Sequence, residues 1–313
     1  MMLLNLKMNR RSFLGTAARL ATLYGMQSTA ISAIAEALDS ATSGGAPVLW
    51  LQGQSCSGCS ISLLDTYPRS IVQFLTHDIQ LKFHQTLSAA TGHVATTSVK
   101  EVIAKGGYYL VVEGSVPVGM PAACRFDHAY FTDQLRQAIP PAKAVISVGT
   151  CSSHGGIPAA EGNPTGAISL RAFMKQEKIE KPCIAVPGCP PHPDWMVGTI
   201  AHVIKFGLPP MDADGCPLMF YRRTIHDVCP RFPDYERKNF AKQFGEEGCL
   251  FKLGCQGPVT YADCTLRKWN GGTNDCIAAG GCCTGCTTRD YPRPKNFPMY
   301  YEVGGHSSQS VQS

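Results

Sequence analysis

The chain has 313 residues, 44% hydrophobic and 16% charged, with 31 Gly, 22 Pro and 15 Cys, enough for two domains of about 100–200 residues each. That composition excludes disorder, and the absence of a three-residue Gly period together with the low charge excludes collagen-like and coiled-coil chains. The net charge is +5, with Lys7, Arg10, Arg11 and Arg19 near the start; the remainder is close to neutral and has no basic run interleaved with aromatics, so no nucleic-acid partner is expected.

Taken from the start, Arg10 and Arg11 are followed by Ser12, Phe13 and Leu14 and then by a moderately apolar stretch. This reads as a twin-arginine export signal over residues 1–40, which places the mature protein in the periplasm. Arg19, Thr16, Thr22, Gln27 and Ser28 weaken the apolar stretch, so no permanent membrane anchor is expected on this chain. The twin-arginine route exports folded proteins, which suits a cofactor inserted before export. At the other end, residues 301–313 form a polar tail.

From residue 47 to 207, short β-rich runs alternate with helical stretches. The runs are VLWLQG (48–53), IQLKFH (79–84), YYLVVEG (108–114), AVISVG (144–149) and CIAVPG (183–188). Most are continuously apolar, as buried parallel strands are when helices cover both faces of a sheet. An α/β, flavodoxin-like parallel-sheet domain is expected, with its binding crevice outside the carboxyl ends of the strands. Three runs lead directly into loops carrying Cys56, Cys151 and Cys189.

The pattern breaks in the second half. Residues 208–300 hold nine of the 15 cysteines, many Gly and Pro, and few long apolar runs. Such a segment is expected to be irregular and organised by bound metal clusters, whose ligation replaces hydrophobic burial. A disulfide scaffold is disfavoured by the odd cysteine count and the length of the chain. The spacings Cys56-x-x-Cys59 and Cys283-x-x-Cys286 are metal clamps, but they lie more than two hundred residues apart, which fits two thiolate-rich iron-sulfur sites better than one zinc site.

Five segments carry a family resemblance: QGQSCSGCSISLLD (52–65), GTCSSHGGIPAAEGNPTGA (149–167), VPGCPPHPDW (186–195), IHDVC (225–229) and GCLFKLGCQGPVTYADC (248–264). In this order they resemble the small subunit of periplasmic nickel-iron hydrogenases. The resemblance implies a proximal [4Fe-4S] cluster on Cys56, Cys59, Cys151 and Cys189. It implies a distal [4Fe-4S] cluster on His226, Cys229, Cys249 and Cys255, where a neutral imidazole raises the potential relative to a thiolate. The medial site of common members uses three cysteines and a [3Fe-4S] cluster, with Pro where a fourth ligand would fall. Here Cys264, Cys283 and Cys286 match the three, and Cys276 stands at the Pro position. A [4Fe-4S] cluster is then implied, as in the nickel-iron-selenium subgroup, and a [3Fe-4S] cluster remains the alternative if Cys276 is not a ligand. Cys282 is a rival for that role.

On the same resemblance this chain is the electron-transfer subunit, relaying electrons for H2 = 2H+ + 2e−. The nickel-iron centre lies on a large subunit, and no catalytic residue is expected on this chain. Gly58 and Gly156 occupy positions where oxygen-tolerant members carry extra cysteines, so the unusual proximal cluster of those enzymes is not expected. Glu113, at a strand end, is a candidate proton-path residue near the proximal cluster or, equally, a satisfied strand-end carboxylate. His192 is read as a loop residue, Trp195 and Trp269 as packing, and Cys124, Cys183, Cys216 and Cys282 as unligated thiols. The expected redox partner is a periplasmic multihaem c-type cytochrome. The basic residues Arg222, Arg223, Arg231, Arg237 and Lys238 near the distal ligands read as a solvated face or as steering for an acidic partner. A related quinone-module subunit of respiratory complex I shares the α/β half but lacks the Cys-rich second half.

Overall fold

The computed structural model describes residues 45–67 and 70–292; the export segment 1–40 and the tail 301–313 lie outside the described residues. All five apolar runs form strands: β1 (Ala46–Gln52), β2 (Ile79–His84), β3 (Tyr109–Glu113), β4 (Ala144–Val148) and β5 (Cys183–Val186). They pair in parallel in the order β2-β1-β3-β4-β5, which is the doubly wound, flavodoxin-like arrangement. β4 is buried along its whole length, which accounts for its lack of apolar/polar alternation.

The helices that cover the sheet are α1 (Gly58–Leu64), α2 (Gly92–Lys105), α3 (Phe131–Ala138), α4 (Gly149–His154), α5 (Leu170–Gln176) and α6 (Pro193–Phe206). Successive residues of a strand point to opposite faces, and β1 shows it. Val48 and Trp50 pack with Trp195, Met196 and Ile200 of α6, whereas Leu49 and Leu51 pack with Val99 of α2, Leu135 of α3 and Phe173 of α5.

Beyond Gly207 the described helical pieces are short; the longest, Phe232–Glu236, has five residues. This segment's own buried apolar cluster is small, Ala241, Leu250 and Cys282. Phe220, Tyr221, Ile225, Ala262 and Ile277 instead join the α6 side of the sheet core. The cysteine-rich segment is therefore sealed onto the α/β half by a strip of apolar side chains, and cysteine-bearing loops fill the rest of it.

Candidate metal-cluster sites

The strand order reverses between β1 and β3, where Gln52 pairs with Glu113; the carboxyl ends at such a switch point are where sheets of this kind form their binding crevice. The loops leaving β1, β4 and β5 bring Cys56 and Cys59, Cys151, and Cys189 to it. Cys56 is exposed and the other three are half-buried. Burial pushes the Cys59 thiol well up, and Glu113, Cys151, Cys56 and Cys189 push it further. Burial also pushes Cys151 up to about 12, with Cys189, Cys56 and Glu113 adding to it and a backbone hydrogen bond from Ile157 opposing. Thiols that repel each other's ionisation face a common space, and a cation-rich centre relieves that repulsion by taking all of them as thiolates.

Two glycines shape this crevice. Gly149 has φ +83°, and a Cβ there would lie 2.4 Å from Cys59 Sγ. Gly156 has φ +56°, and a Cβ there would lie 2.8 Å from the backbone of Cys151. Only a residue without Cβ lets the backbone come this close in that conformation.

In the second half, His226, Cys229, Cys249 and Cys255 line one recess, partly open to solvent. His226 begins a 3₁₀ turn (His226–Val228). Its ring sits edge-on to Phe232 and Tyr235, with centroids at 5.0 and 4.6 Å. Arg231 also lines the recess and donates to the carbonyls of Glu246 at 3.1 Å and Gly248 at 2.8 Å, holding the Cys249 loop. The expectation of Arg231 as a surface charge is thereby corrected: three backbone carbonyls, that of Ile277 included, turn its guanidinium inward. Arg222, Arg223, Arg237 and Lys238 are exposed.

The third group forms between these two. Cys264 opens a short helix (Cys264–Arg267); burial pushes its thiol well up, with Cys286, Asp263, Cys283 and Cys276 adding to it. Burial pushes Cys286 up to about 12, opposed by a hydrogen bond from the Cys189 backbone and reinforced by Cys276 and Cys189. Cys276 is exposed and acts on both Cys264 and Cys286. Cys282 is buried beside Ala241 and Leu250, and the thiols that act on it are Cys255 and Cys276.

The three groups are joined in series. On the first side, Cys189 acts on the Cys286 thiol. Thr150, next to Cys151, donates to the Cys286 carbonyl and accepts from Gly188 N–H at 2.8 Å. On the second side, Gln256 N–H donates to the Cys283 carbonyl at 2.8 Å, and Cys255 acts on the Cys283 thiol.

Of the other residues singled out, His192 caps α6: its Nδ1 accepts from Asp194 N–H at 3.1 Å and its Nε2 meets the Lys268 carbonyl at 2.7 Å. Trp195 and Trp269 pack edge to face at 6.4 Å. Two arrangements escape a sequence reading. Arg267, with its side chain 3% exposed, pairs with Asp263 and with Asp194 at 2.9 Å. Glu113 is enclosed by Trp50, Gln52 and Ser60, with His84 behind Ser60. The available signals were faint: Asp263 immediately precedes Cys264, and Ser60 immediately follows Cys59.

Comparison with known proteins follows the same division. Residues 56–203 match the family described as NADH ubiquinone oxidoreductase, 20 Kd subunit, and residues 221–299 match the family of the C-terminal part of the NiFe/NiFeSe hydrogenase small subunit. The chain is 44% identical over 275 residues to the periplasmic [NiFeSe] hydrogenase small subunit of Desulfomicrobium baculatum, covering 82% of this chain and 87% of that one. It is 38% identical to the hydrogenase-2 small chain of Escherichia coli, over 89% of this chain and 76% of that one. The solved [NiFeSe] hydrogenase of Dm. baculatum superposes with a TM-score of 0.78 at 43% identity, covering 82% of this chain and 99% of that one. That of Desulfovibrio vulgaris Hildenborough gives 0.77 at 40%, over 82% and 97%. The match to the second half sets the chain apart from relatives of the α/β half alone. This chain belongs to the small-subunit family of nickel-iron and nickel-iron-selenium hydrogenases, the electron-transfer subunits of enzymes whose active site lies on the large subunit.

Proposed function

We propose that this chain holds three [4Fe-4S] clusters in line: a proximal one on Cys56, Cys59, Cys151 and Cys189, a medial one on Cys264, Cys276, Cys283 and Cys286, and a distal one on His226, Cys229, Cys249 and Cys255. The observation that supports this reading is the serial link made by Thr150, beside Cys151, which donates to the Cys286 carbonyl, and by Gln256, beside Cys255, whose N–H donates to the Cys283 carbonyl. Among the described residues no three His, Cys, Asp or Glu side chains converge tightly enough to hold a single metal ion. A zinc ion bound at about 2.3 Å needs its thiolates within about 4 Å of one another, whereas a four-iron cage sets iron and sulfide between them.

Bound at these sites, iron-sulfur clusters supply one-electron redox steps at potentials that their surroundings set. The chain's own residues do the rest. Eleven thiolates and one imidazole hold the iron, buried apolar walls exclude water, and neutral His226 in place of a thiolate raises the potential at the exit. Cys56 is exposed, and so are the apolar residues Ile61 and Leu64 on the helix that follows it and Ile157, which follows the helix carrying Cys151. This is the face for the large subunit, in a permanent interface above about 2,000 Å². The recess around His226 is the face for a periplasmic multihaem c-type cytochrome. Export folded, with the large subunit bound, follows from Arg10 and Arg11; no helix among the described residues is long and apolar enough to cross a membrane.

Low-temperature EPR of the oxidised heterodimer tests the cluster assignment. The unaltered protein gives no isotropic three-iron signal, Cys276→Ala gives a strong one, and Cys282→Ala gives none. A strong signal in the unaltered protein makes the medial cluster [3Fe-4S], and protein without iron overturns the reading altogether.

A further inference from the structure

The carboxyl end of β3 places a charged group where apolar side chains are the rule. Glu113 is 0% exposed, and no Lys, Arg or His forms an ion pair with it among the described residues. A buried carboxylate without a cation is costly unless donors satisfy it. Here three donors converge on one oxygen: Oε2 accepts from the Trp50 indole at 3.1 Å, from the Gln52 amide at 3.0 Å and from the Ser60 hydroxyl.

Gln52 and Ser60 are fixed in that sense from behind. Gln52 Oε1 accepts from the Thr86 hydroxyl at 3.0 Å, which turns the Gln52 NH2 toward Glu113. His84 Nδ1 accepts from the backbone N–H of Thr86 at 3.0 Å and of Leu87 at 3.2 Å. The single proton of a neutral ring therefore sits on Nε2 and is directed at Ser60 Oγ, 3.1 Å away, leaving the Ser60 hydroxyl proton for Glu113. Burial lowers His84 to about 4 and keeps the ring neutral, against the pull of Glu113. On the His84 side, a ring whose far nitrogen is already occupied by two backbone donors has nowhere to pass a proton. Its near end touches the proximal clamp: Ser60 follows Cys59, and Ser55, which precedes Cys56, lies 3.5 Å from Glu113 Oε1.

We infer that Glu113, held by Trp50, Gln52 and Ser60 with His84 setting the direction of Ser60, is a fixed negative charge that lowers the midpoint potential of the proximal cluster. It is a positioning residue, and His84 gives it no outlet for a proton. An electron arriving beside a buried anion in a low-dielectric site is repelled by it. The inference rests on the assignment of Cys56, Cys59, Cys151 and Cys189 as cluster ligands.

The test is an EPR-monitored redox titration of the proximal cluster in the purified heterodimer. Glu113→Gln removes the charge and keeps the shape, so the cluster becomes about tenfold easier to reduce, an upward shift of about 59 mV. Glu113→Asp keeps the charge and most of the original potential. Equal shifts in both variants, or no shift in Glu113→Gln with the proximal signal intact, overturn the inference. Should Glu113→Gln fail to fold, the unaltered heterodimer still decides it. A midpoint constant from pH 6 to pH 9 supports a fixed charge, and a tenfold change per pH unit, about 59 mV, means proton uptake and overturns it. A complete lack of proximal signal in the unaltered protein counts against the ligand assignment instead, which tells the two failures apart.

Discussion

Gly149→Ala is expected to strip the chain of its proximal cluster, so that iron attributable to this chain falls from about twelve to about eight per copy and hydrogen-driven reduction of any external acceptor stops. The cause is local. At φ +83° an added methyl costs about 1 kcal/mol in backbone strain alone, but it also lands 2.4 Å from Cys59 Sγ, with the Gly188 carbonyl 3.8 Å away. The thiol cannot swing aside without leaving the direction it shares with Cys56, Cys151 and Cys189. Gly162→Ala is the control: φ is +79° there, and nothing lies within 4 Å of the new methyl. Iron analysis of the two purified heterodimers separates strain from the clash, and full iron in Gly149→Ala would refute the crevice geometry.

The second large effect is on stability. Arg267→Met is expected to cost about 3–5 kcal/mol, because removing one partner of a buried ion pair leaves the other charges uncompensated. Asp194 and Asp263 are only 20% and 19% exposed, and Trp195 Nε1 also donates to Asp263 at 2.7 Å. Arg267 lies over the Phe220 ring at 5.2 Å, so its stem packs as well as pairs. The triad joins the start of α6 to the helix that begins with Cys264. Loss of stability should therefore show first as loss of the medial cluster on heating. Thermal inactivation of the anaerobic heterodimer is expected about 10 °C lower than in the unaltered protein; a change of under about 2 °C would show that the triad contributes little.

The architecture is legible in the sequence because a buried parallel strand needs an unbroken apolar run, and the five runs from VLWLQG to CIAVPG have that character. The positions of Cys56, Cys151 and Cys189 at strand ends are legible for the same reason. What stays hidden is whatever depends on which distant segments meet. In TLRKW nothing marks Arg267 as buried, yet its side chain is 3% exposed because Asp194 and Asp263 face it. Arg231 is similarly drawn inward by carbonyls 15 to 46 positions away. His84 closes an apolar strand and gives no sign of Ser60, 24 positions earlier, as its partner. The serial order of the three cysteine groups also lies beyond spacing rules, because it depends on Cys189 meeting Cys286 and Cys255 meeting Cys283.

The central claim, that this chain is the conductor and the large subunit the catalyst, is tested most directly by cutting the line at its far end. In a heterodimer carrying His226→Ala, hydrogen–deuterium exchange, which needs only the nickel-iron centre of the large subunit, should persist, while hydrogen-driven reduction of a soluble acceptor should drop by roughly tenfold or more. Retention of both activities, or parallel loss of both with the two chains still associated, would contradict it.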